Sequence, residues 1–162
     1  MQWSKLRSLI ESRFAESLGK RVSIHSTAYG NCSCGHAWIT LDGDVIANFC
    51  TRAHYLKLAD ERAGRQTPAS STKKHEAQFV EYGEMSRQDA YQSCWRFIHE
   101  LSIEQALSDS DPLVMSLAVL DQRLGKRRIQ SLALEPLHSL PRHLLEIRAA
   151  AEGIALPARS NP

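Results

Sequence analysis

Long apolar runs are missing from this chain: no window of its 162 residues approaches the roughly 18 consecutive apolar residues that a membrane-spanning helix requires. The first residues also lack a charged stretch followed by an apolar one, so no secretory leader is expected, and the sequence reads as a cytoplasmic chain that stays out of membranes. Charge of one sign is lacking too. Lys and Arg number 20 against 18 Asp and Glu, a formal net charge of +2, which excludes a global field that would gather nucleic acid or an anionic surface. Any basic patch must therefore be local. Cysteine is sparse, with only Cys32, Cys34, Cys50 and Cys94, which a cytosol would keep reduced, so their clustering points to metal or thiol chemistry rather than to a disulfide scaffold. Catalytic signatures are absent: there is no Gly-x-Ser-x-Gly, His-Glu-x-x-His, phosphate loop or dinucleotide fingerprint, which argues against an enzyme. Finally, all 11 aromatic residues lie between Trp3 and Phe97, leaving the last 65 residues to pack through aliphatic side chains alone.

What is present fits one globular domain or a core with an appendage, since 43% of the residues are hydrophobic and 23% charged. Trp3, Leu6, Ile10, Phe14 and Leu18 recur at helical spacing and Gly19 follows as a stop, predicting one amphipathic helix. Arg21 to Tyr29 alternates with the period of a half-buried strand, and Asn31 to Gly35 is expected to turn the chain. A hairpin follows around Gly43. The Asp42-Gly43 pair suggests a two-residue turn, whereas the apolar pattern favours a three-residue loop that sets Leu41 opposite Val45, Ile39 opposite Ala47 and Ala37 opposite Phe49. Thr51 to Arg62 reads as a short helix, 63 to 75 as a polar loop, and Glu76 to Tyr82 as a fourth strand. Ser86 with Asp89 forms a capping-box pattern before a helix that buries Ala90, Cys94, Phe97, Ile98 and Leu101. Asp111-Pro112 opens another helix, whose stripe of Leu113, Leu117, Leu120 and Leu124 is expected to end at Gly125. Shorter and longer helices then follow from Lys126 and from near Ser139. The expected fold is α+β: a small antiparallel sheet of three or four strands packed by helices in residues 1 to 106, a helical subdomain from 111 to 154, and a polar tail from 155 to 162.

Several short segments carry a resemblance: Trp3-Ser4-Lys5-Leu6, Ala37-Trp38-Ile39-Thr40 leading to Asn48-Phe49-Cys50, the run from Leu120 to Arg128, Ile147-Arg148, and Ala151-Glu152-Gly153. Together they resemble a family of small, uncharacterised bacterial proteins. The resemblance implies a bacterial cytoplasmic protein, without an established activity and with no catalytic or binding residue to carry over.

Two clusters and one strand face could carry chemistry. Cys32, Cys34, His36, Cys50 and His54 place five soft or borderline ligands within a short stretch, and zinc wants four in a tetrahedron. Against that, Cys-x-Cys is not the usual spacing, so free thiols are the plainer reading and a cofactor is not required. Cys50 with His54 is the only close pairing of a nucleophile with a base. The second cluster, Arg123, Lys126, Arg127 and Arg128, surrounds Gly125, where cations would complement the carboxyl end of the preceding helix or contact phosphates. Arg142 and Arg148 extend that patch if the last helix packs alongside. Asp121 and Arg123 point apart on a helix, so Asp121 is expected to pair with Arg127 or Arg128 across the bend. His25, Tyr29, Trp38 and Thr40 share the strand face opposite the apolar set and form a candidate contact surface for a partner. The sequence therefore reads as a non-enzymatic binding or regulatory module, with another protein as its partner; a nucleic-acid binder using 123 to 128 and a zinc protein using 32 to 54 are the alternatives.

Overall fold

The computed structural model describes residues 1–28, 35–49, 59, 61–64 and 86–157. Among the described residues there are six α-helices and one three-stranded antiparallel sheet, an α+β fold with a helical C-terminal region. The chain divides into two compact units, residues 21–92 and residues 1–20 together with 93–162.

The first unit holds the sheet, in the order β1 (Val22–Ala28), β2 (Gly35–Leu41), β3 (Asp44–Phe49). Alternation places Val22, Ile24, Ala37, Ile39, Ala47 and Phe49 on one face, where all six are buried. The hairpin uses both registers that the sequence suggested. At the tip Leu41 pairs with Asp44 and Thr40 with Val45, so the three-residue loop is corrected to a two-residue turn. Its central residues, Asp42 at φ +53° and Gly43 at φ +95°, are both left-handed, as a tight turn matched to strand twist demands. Deeper in, a bulge at Ile46 restores the expected pairing of Ile39 with Ala47 and Ala37 with Phe49. The extra residue thus reconciles the turn chemistry of Asp-Gly with the apolar pattern behind it. Gly35 is not part of a turn but lies in β2 opposite Ala28, where an added Cβ would come within 2.0 Å of the Thr27 carbonyl oxygen and 2.7 Å of Arg87 Cδ. The expected fourth strand at 76 to 82 lies outside the described residues, as do nearly all of the helix expected from Thr51 and the loop after it.

In the second unit, helix α1 spans Trp3–Glu11 and stops well short of Leu18. Phe14 instead bridges to Asp121, with Ala15 N–H donating to the Leu120 carbonyl at 2.9 Å and Gln122 N–H to that of Arg13 at 2.8 Å. Those backbone groups are satisfied across the fold, which ends the helix, and Leu18 follows in a 3-10 turn at Glu16–Leu18. Leu6, Ile10, Phe14 and Leu18 are nonetheless all buried. The boundary between the units falls within α2 (Arg87–His99), which opens on the expected capping box: Ser86 N–H donates to Asp89 Oδ2 at 2.8 Å and Asp89 N–H to Ser86 Oγ at 3.2 Å.

Helix α3 (Ile103–Leu107) was not anticipated, although Ser102 and Gln105 form a capping box that announces it. Helix α4 (Pro112–Leu120) begins where Asp111 accepts from the Leu113 and Val114 N–H groups. It buries residues around its whole circumference, from Leu113 to Leu120 except Met115, as a central core helix does. It ends at Leu120, four residues before the expected stop, because Asp121 takes an extended conformation. Helices α5 (Lys126–Leu132) and α6 (Ser139–Ala151) complete the unit; α6 packs on α4, and its Leu140, Leu144, Leu145 and Ala149 are buried.

Candidate functional site

On the sheet face opposite the apolar set, His25 of β1 pairs with Trp38 of β2 and Trp38 pairs with Asn48 of β3. The His25 and Trp38 rings stack with centroids 5.0 Å apart and planes 12° apart. His36, two residues along on the same face, stacks on the same indole at 4.6 Å and 23°. His25 Nε2 meets Thr40 Oγ1 at 2.9 Å, which fixes the ring along the strand pair. The alternation of β1 and β2 thus gathers two imidazoles around one indole. His25 and Trp38 are half-buried, whereas His36, Thr40 and Asn48 are buried, so this surface is narrower than an open aromatic patch. Its visible chemistry is ring stacking on Trp38 and the hydrogen bond between His25 and Thr40. Tyr29 lies outside the described residues. Asn48 was missed by sequence reasoning, yet the register that pairs Ile39 with Ala47 also sets Asn48 opposite Trp38.

The basic bend is organised differently from expectation. Asp121 is fully buried and holds Arg123, accepting from its Nε at 2.9 Å, its Nη2 at 2.6 Å and its backbone N–H at 2.9 Å. Two residues apart would diverge on a helix, but Asp121 and Arg123 follow the end of α4, where the extended backbone lets them converge. Arg128 pairs with Glu135 at 3.0 Å and Glu104 at 3.6 Å, not with Asp121. Lys126 and Arg127 are exposed and have no ion pair among the described residues. Gly125 is the N-cap of α5 rather than the end of α4, so these cations stand at the positive end of a helix, and the expected match to a carboxyl-end dipole does not apply.

Arg142 and Arg148 do not extend the patch, because both are engaged within the fold. Arg148, 1% exposed, donates to the carbonyls of Val119 at 2.9 Å, Asp121 at 2.5 Å and Leu124 at 2.8 Å, and its Nε reaches Glu152 at 2.9 Å. Arg142 donates to the carbonyls of Ala133 at 2.6 Å and Glu135, closing the end of α5. Arg13 does the same for α2, at the carbonyls of Phe97 and Ile98, 3.3 and 3.1 Å away. Three arginines thus satisfy the terminal carbonyls of three helices. The run from Leu120 to Arg128 and the pair Ile147-Arg148, distant in sequence, are parts of one structural knot.

Of the proposed zinc ligands, Cys32, Cys34, Cys50 and His54 lie outside the described residues; His36 is placed on β2 against Trp38. Among the described residues no group of three or more His, Cys, Asp or Glu could hold a metal. Cys94 is buried in α2, and burial, with the Asp111 carboxylate adding to it, pushes its thiol far above the ordinary range. A buried thiol held in its neutral form is poorly placed to act as a nucleophile.

A family model described as the SF0329 protein family matches residues 2–149. The chain belongs to that family. For the SF0329 family the match takes in both the stacked sheet face and the Asp121–Arg148 knot. No curated protein and no solved structure matches the chain. No described helix is long and apolar enough to cross a membrane.

Proposed function

We propose that this chain is a non-enzymatic binding or regulatory module of a bacterial cytoplasm that recognises another protein through the sheet face around Trp38. The observation that carries the reading is the half-buried Trp38 bracketed by His25 and His36, with Thr40 holding His25 in place. An indole in a fixed pose, offered beside hydrogen-bonding rings, is the kind of anchor that dominates protein interfaces. The lack of catalytic motifs in the sequence supports binding over turnover. The test is retention of partners from extracts of the source cell by immobilised wild-type chain, by Trp38→Ala and by Lys126→Glu/Arg127→Glu. A protein held by wild type and by the charge variant but lost by Trp38→Ala supports the reading. Undiminished retention by Trp38→Ala refutes it.

A second reading, nucleic-acid binding at the bend, is favoured by one observation: Lys126 and Arg127 are exposed, without a carboxylate partner among the described residues, at the helix end where positive charge is unfavourable. It requires binding that weakens steeply with salt and with the charge variant. Arg123 and Arg128 contribute less than the sequence suggested, since carboxylates already hold them.

A further inference from the structure

We propose that the Asp42-Gly43 linkage at the tip of the β2–β3 hairpin is a latent site of aspartate isomerisation, and that Arg21 guards it. The reaction needs only the chain and water. The Gly43 nitrogen attacks Cγ of the protonated Asp42 carboxyl; an N–C bond forms, the C–OH bond breaks, and one water leaves to give a five-membered succinimide. Water then adds back to either carbonyl, and opening at the main-chain carbonyl leaves an isoaspartate whose backbone runs through the former side chain.

The ingredients of that reaction meet at this turn. Both residues are exposed, Gly43 has no side chain to impede its nitrogen, and nothing lies within 4 Å of where a Cβ would be. The Gly43 N–H makes no hydrogen bond to a described residue. What opposes the reaction is one residue. Arg21 accepts the Asp42 N–H at its own carbonyl at 2.8 Å, and its guanidinium grips both carboxylate oxygens, Nε to Oδ1 at 2.9 Å and Nη2 to Oδ2 at 2.8 Å. Backbone and side chain of Asp42 are thus tied to the residue that leads into β1, which resists rotation of Cγ onto the Gly43 nitrogen. The same guanidinium holds the Asp42 carboxyl below its usual range, so less of the reactive protonated form exists at any pH. The consequence of failure is structural. An isoaspartate lengthens a turn whose two residues set the pairing of Leu41 with Asp44 and Thr40 with Val45.

The full chain, Arg21→Gln and Arg21→Lys are to be aged in mildly acidic buffer. Isoaspartate is read by peptide mapping and by enzymatic methylation, and circular dichroism at the start verifies the fold. The Gln variant is expected to accumulate isoaspartate at 42 several-fold faster than wild type. The Lys variant, which keeps the charge but loses the fork, should fall between them. Asp109-Ser110 serves as the internal reference and must not accelerate, which separates loss of the guard from general unfolding. Equal rates at 42 in all three chains, or acceleration at 109 to match that at 42, overturns the proposal.

Discussion

Replacing Arg148 with Met removes a buried cation and keeps most of the volume of its stem. Four hydrogen bonds disappear, three of them to carbonyls of Val119, Asp121 and Leu124 that have been withdrawn from water at the end of α4. A hydrogen bond to a charged group contributes about 1.5–3 kcal/mol, and a stranded buried acceptor costs about 1–3 kcal/mol. Some relief comes from no longer burying the guanidinium. With relaxation of the bend included, the expected loss is about 4 kcal/mol, a large share of the roughly 5–15 kcal/mol that holds a domain folded. Arg148→Lys should recover only part of it, because one ammonium cannot reach carbonyls fanned over three residues. Glu152→Gln, whose partner oxygen is nearer the surface, should cost about 1 kcal/mol. Urea titration followed by far-UV circular dichroism and by tryptophan emission provides the assay, and because the chain divides into two units the two signals must be compared before a single transition is fitted. A midpoint for Arg148→Met within experimental error of wild type would refute the claim that this arginine secures the end of α4.

Other expectations follow from the same packing. Ile39→Asp and Thr40→Asp should both lower stability by several kcal/mol, since the two residues are 1% and 8% exposed; tolerance of the Thr40 change in thermal melts would contradict burial on both faces. Lys126→Glu should raise stability by about 0.5 kcal/mol, because it puts a carboxylate at the positive end of α5, and a fall in melting temperature would count against the N-cap assignment at Gly125. Cys94 should resist alkylation in the folded chain at mildly alkaline pH. Its raised thiol pKa means that the unfolded chain ionises first, so its contribution to stability is full below the ordinary thiol pKa and declines as pH rises above it; rapid labelling under native conditions would be inconsistent with that burial. Elemental analysis of chain purified without chelator is expected to give no stoichiometric zinc, while about one equivalent, lost with unfolding on chelation, would make Cys32, Cys34, His36, Cys50 and His54 a metal centre.

Local rules carried the sequence reading wherever neighbouring residues alone decide the conformation. Asp111-Pro112 and Ser86 with Asp89 start helices because their side chains satisfy backbone donors within three residues, and Ser102 with Gln105 could have been read the same way. The hairpin was half legible: Asp-Gly determines the turn, the apolar pattern determines the deeper register, and only a bulge lets both hold. The end of α1 was not legible, because what stops it is a hydrogen bond from Ala15 to Leu120, more than a hundred residues away. The same distance hid the roles of Arg13, Arg142 and Arg148, which as side chains look like surface cations. The candidate sheet face is visible in the alternation of His25, Trp38 and Thr40, but the stacking of His36 on the same indole depends on ring orientations that alternation does not specify.

The arginines that close helix ends also bear on synthesis from the ribosome. Arg13 is made before the carbonyls it binds, which are 84 and 85 residues downstream, so its acceptors do not yet exist when it emerges. Arg148 presents the reverse order, since the end of α4 is made first and stays open to solvent until a residue 24 to 29 positions later has been added. A nascent chain halted anywhere before Arg148 therefore exposes the apolar flank of its central helix. The helical unit therefore completes its packing only once Arg148 is in place, and removal of α6 should be felt across the unit rather than at its edge.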